Sequence, residues 1–205
     1  MKPKKIAGVP PQKTGGFHDT ESLKKFDSPE KAAENFHLLK ERLFSVNEWK
    51  SYCGKGSADF QLYDSAGHPV QRIPRISDFI RINIPGPGDQ AGKGFDWVEI
   101  IQITHQNTDQ KESILITSSP CSNPEENKNS YIAHFYSEKA TSNFRISHSG
   151  SILKAGIHGR NESPNFKAKL TDKIRNLMVA LVGIFGFSKI QWKCLTDGLL
   201  DFDSH

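Results

Sequence analysis

Cysteine is scarce in this chain of 205 residues, which holds only Cys53, Cys121 and Cys194. An odd number with no Cys-x-x-Cys spacing excludes a disulfide framework and a cysteine-based zinc site, and fits a reducing, cytoplasmic setting. Long hydrophobic runs are lacking as well. The apolar run 177–187 is eleven residues long, against the roughly 20 that crossing a bilayer takes, so no membrane span is expected. Behind the basic start, residues 6–11 offer Ile, Ala and Val among Gly and Pro, too little for a secretory signal. An excess of one charge is also missing from most of the chain. The formal net charge is +4, and Lys2, Lys4, Lys5 and Lys13, with no acid among the first sixteen residues, account for all of it. The neutral remainder is a poor match to a phosphate backbone, so no nucleic-acid partner is expected. Residues 1–19 read as a flexible basic tail and 20–205 as a single α+β domain.

Aromatic residues are plentiful. With 13 Phe, 3 Trp and 36% hydrophobic residues, the chain is too apolar to stay disordered and long enough for one sizeable core. Asp27-Ser28-Pro29-Glu30 is a helix start: an N-cap side chain, Pro at the first helical position and an acid in the first turn. Ala32, Phe36, Leu39 and Leu43 then fall on one face of a helix that ends between residues 44 and 49. From Ser57 the period shortens to two. Ala58, Phe60 and Leu62 alternate with Asp59, Gln61 and Tyr63, and a turn follows at Asp64-Ser65-Ala66-Gly67. Ile80, Ile82 and Ile84 alternate with Phe79, Arg81 and Asn83. Further strands are read at 97–104, 113–117, 143–147 and 151–157, the last two closing a tight hairpin at Ser149-Gly150. Residues 20–26 and 131–136 are weaker strand candidates, and 105–111 and 118–130 are loops. Beyond Pro164, Ile174, Leu177, Met178, Leu181 and Phe185 recur at helical spacing with Val179, Ala180 and Val182 on the other faces, giving a buried helix. Ser188-Lys189-Ile190-Gln191 has capping-box form and opens a short last helix to about Leu200.

The order is helix, hairpin-connected strands, then helix, with no βαβ alternation, so the fold class is α+β: an antiparallel, curved sheet of six to eight strands on a long C-terminal helix. That order, with the Asp-Ser-Pro-Glu helix start, the stretch from Val46 to Trp49 before the strands and the long final helix, resembles the helix-grip proteins of the START and polyketide-cyclase-like superfamily. The resemblance implies a hydrophobic cavity between sheet and helix.

Candidate site residues follow from chemistry rather than from a motif. His158, Arg160 and Glu162 sit within five positions after a strand, and could move a proton, clamp an anion and act as a base; they also fit a plain polar connection between sheet and final helix. Arg175 opens an otherwise apolar helix and could point into a cavity. His134 and Trp97 complete the expected ligand-binding set. There is no Gly-x-Ser-x-Gly elbow, and nothing places an acyl-transfer triad together. No His-Glu-x-x-His or paired-His spacing is present, and Gly92-Lys93-Gly94-Phe95 enters a strand where a Walker loop would enter a helix. No metal and no cofactor are therefore expected; residues 85–94 read as a hairpin loop or a lid. The function expected is binding of a small apolar or amphipathic molecule. The alternatives are a cyclase- or hydrolase-type enzyme with His158 as acid or base, and a homodimer that buries one face of 177–187.

Overall fold

The computed structural model describes residues 2–53, 57–83, 95–108, 111–125, 131–165 and 191–203. Strand β1 (Gly16–Lys25) comes first, then helix α1 (Pro29–Phe44), a 3-10 turn (Val46–Glu48) and the short helix α2 (Trp49–Cys53). Six strands follow: β2 (Asp59–Tyr63), β3 (Phe79–Asn83), β4 (Asp96–Thr108), β5 (Lys111–Pro120), β6 (Thr141–Ser149) and β7 (Ile152–Glu162). They form one antiparallel sheet in the order β1-β7-β6-β5-β4-β3-β2, so the first and second strands are its two edges and the helices connect them. Residues 191–199 are helical. No described helix is long and apolar enough to cross a membrane.

Ser28 is the N-cap of α1, and its hydroxyl accepts from the amide of Lys31. The predicted stripe is the buried face: Ala32, Phe36, Leu39 and Leu43 are each at most 1% exposed, and burying each of the three larger side chains stabilises the fold by about 1.5–3 kcal/mol. They pack on the sheet's inner face, among Phe60, Leu62, Ile80, Ile100, Ile116, Phe144, Ile146 and Ile157, with Leu195, Leu199 and Leu200 completing the core. Arg42 is the polar member of the α1 interface. Its guanidinium donates to the carbonyls of Gly198, Leu199 and Asp201 at 2.8–3.2 Å, satisfying the last carbonyls of the C-terminal helix, and it lies over the rings of Tyr52 and Phe202.

Several boundaries differ from the sequence reading. The hairpin expected to have a loop over 105–111 is nearly all strand, because β4 runs to Thr108 and β5 starts at Lys111. Residues 131–136 form isolated bridges, Ser122 to Ile132 and Tyr136 to Pro164, rather than a strand. The basic tail needs a correction at its boundary, since residues 16–19 belong to β1. The amide of Lys4 donates to Asp19, Gly8 lies against Leu115 and Thr104, and the amides of Lys13 and Thr14 donate to the side chain of Asn161, so this stretch crosses the outer face and returns. The buried helix expected at 174–187, with Arg175, lies outside the described residues, as do 85–94.

Candidate functional site: two imidazole–carboxylate pairs and a cavity

Side chains of a strand alternate between faces, and β7 shows the consequence. Leu153, Ala155 and Ile157 point into the core. His158 and Arg160 point the other way, toward Asp19 of β1: His158 Nδ1 donates to Asp19 Oδ1 at 2.8 Å and Arg160 Nη2 donates to the same oxygen at 2.7 Å. Both side chains are 1–2% exposed. Arg160 also donates to the carbonyls of Lys4, His18 and Gly159. Beside them Thr117 donates to Asn143, whose amide donates to Thr141 and to the His158 carbonyl. Around Asp19 and Asn143 the buried outer face is thus a hydrogen-bonded polar network. Burial opposes ionisation of Asp19, but the Lys4 amide, Arg160 and His158 outweigh it and hold the carboxyl below its usual range. Burial lowers the pKa of His158 against the pull of Asp19.

A bulge breaks the alternation two residues later. Gly16 pairs with Glu162 and His18 with Gly159, so β7 carries one residue more than β1 in this interval, and Asn161 takes a left-handed conformation with φ 56°. The extra residue returns Glu162 to the inner face, where its Oε1 lies 2.8 Å from Nδ1 of His18. The two side chains are 6% and 8% exposed. A second imidazole–carboxylate pair therefore sits on the same two strands as the first, on the opposite face.

Each ring lies across a glycine. A Cβ on Gly159 would occupy the space of the His18 ring and of Glu162 Oε1, and one on Gly156 would meet His158 Nε2 at 2.7 Å. Glycine at both positions is a requirement of this close approach.

The inner pair borders a cavity of about 50 Å³. Its apolar wall is Ala58, Ile82, Val98, Phe135, Phe144 and Trp192; its polar wall is His18, Glu162, Asp96, Ser118, Ser142 and Gln191, with His134 and Tyr136 beside them. A cavity needs at least about 10–15 Å³ to hold one water, whose share of liquid volume is about 30 Å³, so the space has room for a few water-sized groups. Two polar atoms of the wall, His18 Nε2 and Gln191 Nε2, are buried without a hydrogen-bond partner. The rings of His18 and Trp192 are parallel within 5°, centroids 6.4 Å apart. Burial holds His134 neutral with its pKa down at about 3, and its Nδ1 accepts from the Tyr136 amide.

Of the six expected site residues, then, Glu162 and His134 line the cavity. His158 and Arg160 are in the outer network rather than in a connecting loop, since β7 continues through them. Trp97 packs on the outer face against Tyr63, ring centroids 4.9 Å apart. Arg175 is outside the described residues. His18, Gln191 and Trp192 did not emerge from the sequence. One signal pointed toward the cavity: Asp96, Ser118 and Ser142 are polar residues in phase with Val98, Ile116 and Phe144, all at one end of their strands. Among the described residues no group of three or more His, Cys, Asp or Glu could hold a metal ion. A second depression, of about 430 Å³, opens to solvent between the end of α1 and residues 71–73, and charged Lys40, Glu41, Glu48 and Arg72 line it.

A seven-stranded antiparallel sheet with its helices spanning the two edge strands is a helix-grip arrangement of the α+β class. Among solved structures, a hypothetical protein from Helicobacter pylori superposes with a TM-score of 0.52 at 13% identity, covering 98% of each chain. Ara h 8.0201 gives a TM-score of 0.34 at 11% identity over 90% of this chain and 99% of its own. A major latex-like protein from Panax ginseng gives 0.33 at 10% identity over 85% of this chain and 99% of its own. The fold assignment rests on the strand order and the first of these. No family model matches the chain, and no curated protein matches it.

Proposed function

We propose that the chain binds a small amphipathic molecule, or the head group of one, on the inner face of the sheet where β1, β7 and β6 meet the helix over 191–199. The observation that carries this reading is the pair of buried, unpartnered nitrogens, His18 Nε2 and Gln191 Nε2, at a cavity whose other walls are aliphatic and aromatic. Buried polar atoms are nearly always hydrogen-bonded, and an orphan beside a cavity suits a partner from outside the chain. Apolar walls with a few convergent polar groups are the usual make-up of a small-molecule site. The volume sets the scale at a few heavy atoms. None of the residues lining the solvent-exposed depression near α1 has such a buried, unpartnered nitrogen.

An enzymatic role for His158 is less well supported, because its Nδ1 is engaged by Asp19 and its Nε2 lies 3.9 Å from Glu21 on the outer face, away from the cavity. Native mass spectrometry of gently purified protein tests the binding reading. A non-covalent adduct that disappears in His18→Leu is expected; a ligand-free chain that no small polar molecule adds to would defeat it.

A further inference from the structure

We propose that His18 is the proton acceptor for whatever molecule the cavity takes, that Glu162 holds it in that role, and that the molecule is therefore one offering an O–H or N–H group. This rests on the reading of the cavity as a ligand site, and deepens it by naming the ligand's chemistry.

An ionised carboxylate can only accept, so the hydrogen shared between His18 Nδ1 and Glu162 Oε1 belongs to the ring, and in the neutral imidazole Nε2 then carries the lone pair. That lone pair belongs to the atom left buried without a partner. The ring has little freedom to turn away: Gly159 provides the space for its Nδ1–Cε1 edge, and Trp192 lies parallel to it. In the neutral ring, only a donor satisfies Nε2. Gln191 Nε2, also buried without a partner in the cavity wall, is a donor, so a ligand that both gives and accepts, such as one bearing hydroxyl groups, suits the two atoms. If the bound O–H is acidic enough, its proton passes to Nε2, the bonding pair stays on the ligand oxygen, and the imidazolium rests between that oxyanion and Glu162. The outer pair cannot act this way, because His158 Nε2 faces Glu21 and Gly156 rather than a cavity.

The first measurement is the tautomer of His18 in probe-free protein, read from long-range proton–nitrogen correlations of the imidazole. Protonated Nδ1 with an unprotonated Nε2 is expected; a proton on Nε2 overturns the proposal whatever the cavity binds. The second compares ethanol with acetonitrile, each of three heavy atoms, of which only ethanol donates. Ethanol should shift the His18 Nε2 resonance at about fivefold lower concentration, the size of one net hydrogen bond. In Glu162→Gln, whose amide can equally donate to Nδ1 and reverse the tautomer, the difference should fall below about twofold. Equal responses to the two probes in the wild type, or a preference that survives in Glu162→Gln, would contradict the assignment. If neither probe moves the methyl groups of Ile82 and Val98, the ligand reading of the cavity itself fails, separately from the tautomer.

Discussion

Gly159 and Gly156 show how a single missing side chain builds a site. Both lie on β7, one under each imidazole, but the space above Gly159 holds a ring and a carboxylate oxygen, whereas that above Gly156 holds the edge of one ring. Alanine at 159 should therefore cost about 1–3 kcal/mol, the range for overpacking a tight site, and alanine at 156 less. Urea midpoints of the two variants check the order, and a larger loss at 156 would contradict the geometry. The histidines give a second prediction. His134 and His158 both have pKa values lowered in the folded chain by burial, so the unfolded chain binds protons that the native state refuses. Their stabilising contribution is complete above the ordinary histidine pKa of about 6.5 and is lost as pH falls below it, for His134 down to about 3. Stability should decline from about pH 6.5 downward, with a slope of up to about two protons that His134→Gln reduces to about one. Denaturation at a series of pH values measures it; an unchanged slope in the variant would refute the assignment to His134.

At the scale of elements, Arg42 is the residue on which two helices depend. It sits on the buried face of α1 and donates to three carbonyls around the end of the C-terminal helix, at Gly198, Leu199 and Asp201. Arg42→Ala strips those carbonyls of their donor inside the protein, for an expected loss of about 2–4 kcal/mol. Arg42→Lys should recover less than half of it, because an ammonium lacks the planar guanidinium face that lies over the rings of Tyr52 and Phe202. Thermal unfolding of the pair checks this, and full recovery by lysine would show that charge alone matters. The sequence made α1 legible through its Ser28 cap and its stripe, and the alternation of Phe60 with Gln61, or of Ile80 with Arg81, made the strands legible. It did not disclose where strands end. His158 and Arg160 read as a polar connection, yet they lie in β7 and are buried, as are Asn143 and Thr117 in strands the sequence did show, because the outer face beneath residues 4–14 is satisfied by hydrogen bonds rather than by apolar contact. Periodicity reports hydrophobic burial and is blind to that kind. The site was legible in part for the same reason. Glu162 and His134 were found by residue type, whereas His18 meets Glu162 across 144 positions of sequence through a bulge no pattern announces.

For the molecule as a whole, the strand order places β1 beside β7, and this adjacency of the chain's beginning to its last strand creates both imidazole–carboxylate pairs. One pair is sealed under the N-terminal stretch and holds it in place through Asp19 and Arg160; the other faces the inner cavity with an acceptor left over. The central claim is that this inner cavity, not the larger solvent-exposed depression near α1, is where the protein takes its ligand. Chemical-shift mapping with a set of small hydroxyl- and amine-bearing fragments tests it most directly. The prediction is that perturbations concentrate on Ile82, Val98, Phe144, Trp192 and His18; perturbations confined to Phe44, Val46 and Ile73, or none at the cavity at saturating fragment, would contradict it.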